Sequence, residues 1–180
     1  RFCEARVWSV FRRAAPSLSL PADLVLGDVK AERLPLWIKP DRKLAVADVM
    51  ALMRDHYQGT ELDMTTDVGA GPFALPYRWR PMTWEVDGAK YVHERAISTQ
   101  QTGYSLVSQS RSWLPSPIGG VLWFGLDDTA STVYMPMYVG MRRVPRSLAV
   151  GTGTSPASAG SRPSGRSTSS ATGPTHAGPT

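Results

Sequence analysis

Gln109 and Arg111 are the side chains of this sequence whose types and spacing best suit ligand binding. They lie two residues apart in a segment, Thr102 to Trp113, that alternates as a strand does, so both belong to one face. The arginine guanidinium offers a planar pair of donors that matches a carboxylate. If their face lines a cleft, we predict that Arg111 binds a carboxylate-bearing ligand or supports a reactive thiolate, and Gln109 is the second candidate for ligand binding. The alternative is an outward arginine on a solvated sheet face.

Arg95 and Gly71 are two further candidates for ligand binding. Arg95 follows Glu94 in a predicted strand from Lys90 to Ile97, so one of these two charged side chains faces inward or a bulge intervenes. Gly71 lies in Gly69-Ala70-Gly71-Pro72, where the lack of a Cβ lets backbone N–H groups approach a ligand. A tight turn explains this glycine loop equally well. The loop lacks the Lys-Ser/Thr that a phosphate loop requires.

The remaining reactive groups indicate structural roles. Cys3 precedes a predicted helix, Glu4 to Ala15, and reads as a small apolar residue at a helix start. His56 follows Asp55, but adjacent helical residues do not face each other, so we predict a solvated helix end. Asp127-Asp128 is predicted to be an exposed turn. The G-x-S-x-G elbow of a serine hydrolase is missing from the sequence.

Metal and nucleic-acid sites are not indicated by the polar residues. Cys3 and the three histidines are scattered, and Glu61, Asp63 and Asp67 match no EF-hand spacing. We therefore predict no metal site. Arg78 and Arg80 alternate with aromatic residues, which predicts stacking of guanidinium groups on rings at the surface.

The elements that position these residues indicate an α+β fold. Strand patterns at Thr102 to Trp113, Val121 to Phe124 and Thr132 to Met135 are separated by Pro115 and Pro117 and by a turn from Gly125 to Ala130. They predict an antiparallel β-meander with one covered face. Helices are predicted at Glu4 to Ala15, ending at Pro16, and at Asp41 to Gln58, with Gly59 as the C-cap. Leu36 to Ile38 is a possible short edge strand, and Val86 to Ala89 a turn.

Composition allows one domain with a sizeable core. The 180 residues are 42% hydrophobic, and the single cysteine rules out an intrachain disulfide. The net charge is +5, of which Arg162 and Arg166 in the last thirty residues contribute two. The remaining +3 is too weak to indicate a nucleic-acid partner. No apolar run approaches the roughly 20 residues of a membrane span. The first residue is not methionine, so we expect the natural N-terminus to lie upstream.

Several segments, taken together and in order, resemble the peptidase C69 family of dipeptidases. They are ARVWSVFRRAAPSLSLP, RDHYQGTELDMT, AGPF, ERAIS, QSR-x-W-LP, IGGVLWFGLDD and VYMPMY. The resemblance covers roughly Arg1 to Gly151 and matches the later part of the family's chain. The resemblance implies that the chain comes from an N-terminal-nucleophile (Ntn) cysteine hydrolase related to the secernins.

The resemblance implies a partial enzyme. The family fold is a four-layer αββα sandwich, and residues 1–150 are expected to hold part of one sheet with flanking helices. The family's nucleophile is the first residue of the mature chain, and its own α-amine acts as the base. Cys3 does not match that position, so we expect no catalytic residue here and an inactive isolated chain. The substrate implied is a dipeptide, with no metal or organic cofactor, and AGPF is expected to line the cleft.

Residues 151–180 are predicted to be a disordered tail. They contain only Gly, Pro, Ser, Thr, Ala, two arginines and a histidine, so they cannot form a packed core. The family continues here with an apolar, aromatic-rich helix, which leads to the hypothesis of a frameshift near residue 154. A natural flexible tail is the other interpretation.

A non-catalytic β-rich binding domain is the alternative to a peptidase fragment. In that interpretation Trp113, Trp123 and Tyr134 line a ligand surface.

Overall fold

A computed structural model describes residues 2–28, 30–78, 83–92 and 95–149 of the protein. The chain divides into two compact units, residues 1–99 and residues 100–180. Helices combine with a two-stranded and a three-stranded antiparallel sheet, which confirms the predicted α+β class. The predicted disordered tail, residues 151–180, lies outside the described residues.

Helix α1, Phe2–Ala14, supplies much of the core of the first unit. Its buried Ala5 and Trp8 pack in a cluster with four residues from later in the chain: Val25, Tyr57, Met64 and Ala96. Val7, on the same helix, is exposed. The helix ends before Pro16, as predicted, and a short 3₁₀ turn and helix α2, Asp23–Leu26, follow.

Helix α3, Val46–Met53, is the shorter form of the helix predicted from Asp41 to Gln58. It begins where the Asp48 carboxylate accepts a hydrogen bond of 2.7 Å from the Ala45 N–H. The same carboxylate forms a two-pronged ion pair with Arg42, both N···O distances being 2.7 Å. These contacts lower the pKa of Asp48 to about 2. The hydrogen bond from Arg42 has the largest effect, and the one from the Ala45 N–H comes second.

Helix α3 ends early because the chain turns into the core. The fully buried Asp55 carboxylate accepts a hydrogen bond of 2.6 Å from the Ser9 hydroxyl and forms an ion pair of 2.5 Å with Arg13. Ser9 and Arg13 are four residues apart on α1 and so share one face of that helix. Tyr57 then adopts a φ of +64°, which a right-handed helix does not allow.

His56 and Gly59 therefore differ from their predictions. His56 is buried rather than solvated, and its ring meets Tyr77 edge to face with centroids 5.8 Å apart. Gly59 has a φ of +70° in a turn beyond the helix, so it is not the helix cap.

Strands β1, Thr83–Val86, and β2, Ala89–Val92, form an antiparallel hairpin. Its turn residues Asp87 and Gly88 have φ values of +51° and +77°, as in the mirror-image turns that favour hairpins. The predicted turn is thus confirmed.

The strand predicted from Lys90 to Ile97 is confirmed only as far as Val92, and the short edge strand predicted at residues 36–38 is wrong. Residues 95–97 do not continue β2 as a strand, while His93 and Glu94 lie outside the described residues. Residues 36–38 form no edge strand, and Leu36 and Trp37 are largely exposed.

The second unit contains the predicted meander. Strands β3, Tyr104–Ser110, β4, Gly120–Leu126, and β5, Met135–Tyr138, pair antiparallel in that order. Helix α4, Ser116–Gly119, lies at the proline-rich connection between β3 and β4, and helix α5, Arg146–Ala149, follows β5.

The third strand begins three residues later than predicted because Thr132 and Tyr134 belong to the preceding loop. The Thr132 hydroxyl donates to the Leu126 carbonyl at 2.6 Å. The buried Ser105 hydroxyl donates to the Tyr134 hydroxyl at 3.0 Å. A Cβ on Gly125 would lie 2.8 Å from the Thr132 hydroxyl oxygen. The loop therefore packs on the sheet instead of extending it.

The sheet consequently has two unlike faces. We call the face of Ser105, Val107, Gln109, Val121 and Gly125 the covered face, since most of these residues are buried. The opposite, open face carries apolar side chains that are exposed or half-buried: Tyr104, Leu106, Leu122, Phe124, Leu126, Met135 and Met137. The prediction of one covered face is confirmed, and Gln109 belongs to it.

Candidate functional site

Arg111 stands just beyond β3, where the backbone and an aromatic ring hold its side chain. The backbone N–H of Arg111 donates to the Gly119 carbonyl at 2.8 Å. In the side chain, Nη2 donates to the Ile118 carbonyl at 2.5 Å. The guanidinium carbon lies 5.9 Å from the centre of the Tyr138 ring, within the range of a cation–π contact. Helix α4 and strand β5 thus fix the guanidinium from two sides.

The charge of Arg111 is not neutralised within the described part of the chain. Among those residues the guanidinium forms no ion pair, and its buried Nε has no hydrogen-bond partner. A half-buried cation with unused donors favours an anionic ligand.

Gln109 lies beside this arginine on the covered face. Its Oε1 accepts a hydrogen bond of 3.3 Å from the Trp123 indole N–H. In the sheet register Gln109 pairs with Val121, which in turn pairs with Tyr138. The structure therefore brings Gln109 and the Tyr138 ring that contacts Arg111 into one row across three strands. Tyr138 was missed from the sequence because its contact depends on this register.

Gly71 lies in a 3₁₀ segment of the first unit, Val68–Phe73. Its φ of 63° and ψ of −168° are open to glycine but strained for other residues. The Asp67 carboxylate caps the segment by accepting a hydrogen bond of 3.1 Å from the Ala70 N–H. The same carboxylate pairs with Arg78 at 2.6 Å.

The burial of Arg78 overturns its predicted surface stacking. Its side chain is only 3% exposed, and its Nη1 donates to the Met64 carbonyl at 3.1 Å. Arg80 lies outside the described residues. The Asp67–Arg78 pair is thus a second feature that the sequence did not reveal, because the two residues are separated by a loop.

Arg95, in the first unit, is half-buried, and its carbonyl accepts a hydrogen bond of 2.7 Å from the Tyr57 hydroxyl. The core thereby fixes its backbone. Arg95 and Gly71 belong to the first unit, whereas Gln109 and Arg111 belong to the second.

Cys3 is the second residue of α1, which confirms its predicted place at a helix start, although the helix begins before it and its side chain is exposed. Its Sγ accepts a hydrogen bond of 3.3 Å from Arg6 Nη2. Cys3 follows Phe2 in this helix, so its backbone nitrogen belongs to a peptide bond.

The Asp127-Asp128 pair has the predicted turn role but not the predicted exposure. Asp127 Oδ1 accepts from the Asp128 N–H at 2.9 Å, and Asp128 Oδ1 accepts from the Ala130 N–H at 3.2 Å. Asp128 is buried. Both carboxylates are therefore used by the backbone of the turn.

The aromatic ligand surface proposed for a binding domain is not assembled as predicted. Tyr134 is buried beneath the loop, Trp123 is half-buried on the covered face, and Trp113 is exposed. The three side chains therefore differ in their access to a ligand.

The acidic residues at 61–67 serve the local backbone. Burial raises the pKa of Asp63, but hydrogen bonds from the Thr65 hydroxyl and from the Gly59 and Thr65 N–H groups outweigh it and lower the pKa below its usual value. Within the described ranges, no group of three or more His, Cys, Asp or Glu residues is placed to hold a metal ion. Among the same residues, no helix has the length and apolar character needed to span a membrane.

Comparison with known proteins identifies the family. The model of peptidase family C69 matches residues 1–159. The chain is 32% identical over 137 residues to a probable dipeptidase of Salmonella dublin, covering 76% of this chain and 26% of that protein. It is 26% identical over 133 residues to a probable dipeptidase of Latilactobacillus sakei, covering 74% and 23% respectively.

The chain thus spans about a quarter of the length of the curated relatives it matches. No solved structure matches it. The family match extends over both described units, from helix α1 through the meander and helix α5. The chain belongs to peptidase family C69.

Proposed function

We propose that this chain is part of a C69 dipeptidase and contributes substrate-binding side chains to it. The family match over residues 1–159 carries the proposal. The two relatives named as probable dipeptidases support dipeptides as the substrate. In this proposal a cysteine outside residues 1–180 is the nucleophile, since Cys3 lies within a helix and has no free α-amine.

The proposed chemistry is acyl transfer through a cysteine. The thiolate attacks the peptide carbonyl, the α-amine of the same cysteine accepts the thiol proton and returns it to the leaving amine, and water then releases the acyl group. Hydrogen-bond donors stabilise the negative oxygen that develops during attack. Residues 1–180 supply recognition of the substrate rather than the attacking atom.

Arg111 is proposed to bind the terminal carboxylate of the dipeptide. The Ile118 carbonyl takes one guanidinium N–H and the Tyr138 ring supports the plane, so little side-chain freedom is lost on binding. Gln109 is proposed to bind through its amide nitrogen, while Trp123 holds its oxygen. Arg95 and the backbone of Gly71 remain proposed contacts from the first unit.

The meander is proposed to be part of an αββα sandwich of the Ntn type. The open face supports a further layer, because a sheet face rich in Leu, Met and aromatic residues is normally buried. A Leu106→Lys variant tests this point. We expect it to lower binding of a hydrophobic dye by the isolated chain, because a charge interrupts the open face. Unchanged dye binding would show that this face is not the source of apolar exposure.

The decisive experiment begins with sequencing the DNA on both sides of the coding region. We expect an in-frame upstream segment that encodes a processable cysteine, and a one- or two-base correction that restores an apolar helix near residue 154. The polypeptide with the flanking sequence should hydrolyse dipeptides, and the 180-residue chain should not. Replacing the upstream cysteine with alanine should abolish hydrolysis. Hydrolysis by the 180-residue chain itself would refute the assignment of the nucleophile.

A further inference from the structure

The side-chain amide of Gln109 has a fixed orientation on the covered face of the sheet. Its Oε1 accepts a hydrogen bond of 3.3 Å from the Trp123 indole N–H. An indole has a donor and no acceptor, so the oxygen of Gln109, and not its nitrogen, must face Trp123. Within the described part of the chain, no hydrogen bond uses the amide nitrogen. The free end of this side chain is therefore its NH₂ group.

Arg111 shares a face of the sheet with Gln109. Gln109 pairs with Val121 in the register of β3 and β4. Two residues further on, Arg111 is opposite Gly119, whose carbonyl accepts a hydrogen bond of 2.8 Å from the Arg111 N–H. Since side chains alternate along a strand, Arg111 and Gln109 lie on one face with their backbones about 7 Å apart. Both are half-buried residues of the second unit, so each keeps a part that a ligand can reach.

These two side chains offer only donors to a ligand. A guanidinium has no acceptor, and the oxygen of the Gln109 amide is occupied by Trp123. A carboxylate has two acceptor oxygens and matches such a pair. A carboxamide instead turns its own NH₂ group toward one of the donors. Rotation of the Gln109 amide would relieve this conflict, but it would place the Gln109 NH₂ group against the Trp123 N–H and lose the hydrogen bond between them.

We propose that Trp123 is a positioning residue that makes this site reject C-terminal carboxamides. It holds Gln109 as a donor and so restricts the ligands to peptides with a free carboxylate. The proposal rests on the proposed substrate-binding function and deepens it, because it assigns part of the selectivity to a residue behind the one that contacts the ligand.

The strength of the Trp123 contact sets the size of the expected effect. A neutral hydrogen bond of ordinary net strength favours the held orientation about fivefold, which leaves about one-sixth of the amides rotated. Trp123→Phe keeps an aromatic ring and removes the N–H, so both orientations should become about equally populated. Because affinity scales with the competent fraction, Gly-Gly amide should bind about threefold more tightly and Gly-Gly less than about twofold more weakly.

NMR titration of the 180-residue chain measures both dissociation constants. The gain in affinity for Gly-Gly amide is the informative readout, because a purely structural role of Trp123 would weaken the binding of both ligands. Gln109→Leu in the Trp123→Phe background should remove this gain, since leucine offers no oxygen to the carboxamide. Trp37→Phe is the matched control and should change neither constant, because Trp37 is 75% exposed and lies in the first unit.

The contact itself is tested without a ligand through the indole N–H resonance of Trp123. Gln109→Leu should shift this resonance and speed its exchange with solvent, and an unchanged resonance overturns the proposal. Unchanged affinity of Trp123→Phe for Gly-Gly amide, or an equal gain in Trp37→Phe, overturns it as well and leaves carboxylate binding by Arg111 standing. Failure of the unmodified chain to bind Gly-Gly overturns the proposed binding function and this proposal with it.

Discussion

Replacing Arg111 with lysine tests the proposed carboxylate contact most directly. The lysine keeps a positive charge and can still donate to the Ile118 carbonyl, which accepts from Arg111 Nη2 at 2.5 Å. It loses the planar, two-pronged donor set and the stacking of that plane on Tyr138. The substitution therefore separates geometry from charge.

The magnitude follows from the burial of Arg111. A hydrogen bond to a charged group contributes about 1.5–3 kcal/mol, and Arg111 is only half-buried, so we take the lower part of this range. About 1.4 kcal/mol corresponds to a tenfold change in affinity. We expect Arg111→Lys to reduce the preference for a dipeptide over its C-terminal amide about tenfold.

The assay compares Gly-Gly with Gly-Gly amide by NMR titration of the unmodified chain and its variants. Because both ligands keep the α-amine, the ratio of their dissociation constants isolates the carboxylate. Arg142→Lys is the matched control, since Arg142 is exposed in the same unit. The reasoning fails if Arg111→Lys retains the full carboxylate preference, or if Arg142→Lys lowers it as much.

Three further predictions concern stability. The carboxylate of Asp48 should titrate with a midpoint near 2 by NMR. Because its pKa is lowered on folding, its stabilising effect is present above about pH 4 and is lost as the pH falls toward 2. A midpoint at the ordinary value for aspartate would disprove the ion pair with Arg42. Gly125→Ala should cost about 1–3 kcal/mol in urea unfolding because its Cβ would meet side chains at 2.8–2.9 Å, whereas Gly103→Ala, with no atom within 4 Å, should cost less than half as much. Asp55→Ala should cost about 1–3 kcal/mol by leaving the buried Ser9 hydroxyl without its acceptor, and an equal cost for exposed Asp41→Ala would contradict this explanation.

The alternation from Thr102 to Trp113 was enough to place Gln109 and Arg111 together, because a strand has a period of two whatever covers it. It was not enough to tell which face is covered. That depends on the loop before β5, which is joined to the sheet by hydrogen bonds from the Thr132 hydroxyl to the Leu126 carbonyl and from the Ser105 hydroxyl to the Tyr134 hydroxyl. The third strand was misplaced for the same reason, since β-branched and aromatic residues favour strands but here pack as a loop.

Helix α3 shows that the spacing of apolar residues does not fix where a helix ends. The apolar spacing from Val46 to Tyr57 predicts a single helix, but the ion pair between Asp55 and Arg13 draws the last residues into the core. Such a pair joins residues more than forty positions apart, so a local pattern does not contain it.

Arg78 and Arg111 show why similar local anchoring supports different roles. Each guanidinium donates to a backbone carbonyl, that of Met64 for Arg78 and that of Ile118 for Arg111. Arg78 is also neutralised by Asp67, the residue that caps the Val68–Phe73 segment. Among the described residues, Arg111 has no acidic partner. Since a fixed cation without a counter-charge favours an incoming anion, this difference supports the proposal that Arg111, rather than Arg78, binds the peptide carboxylate.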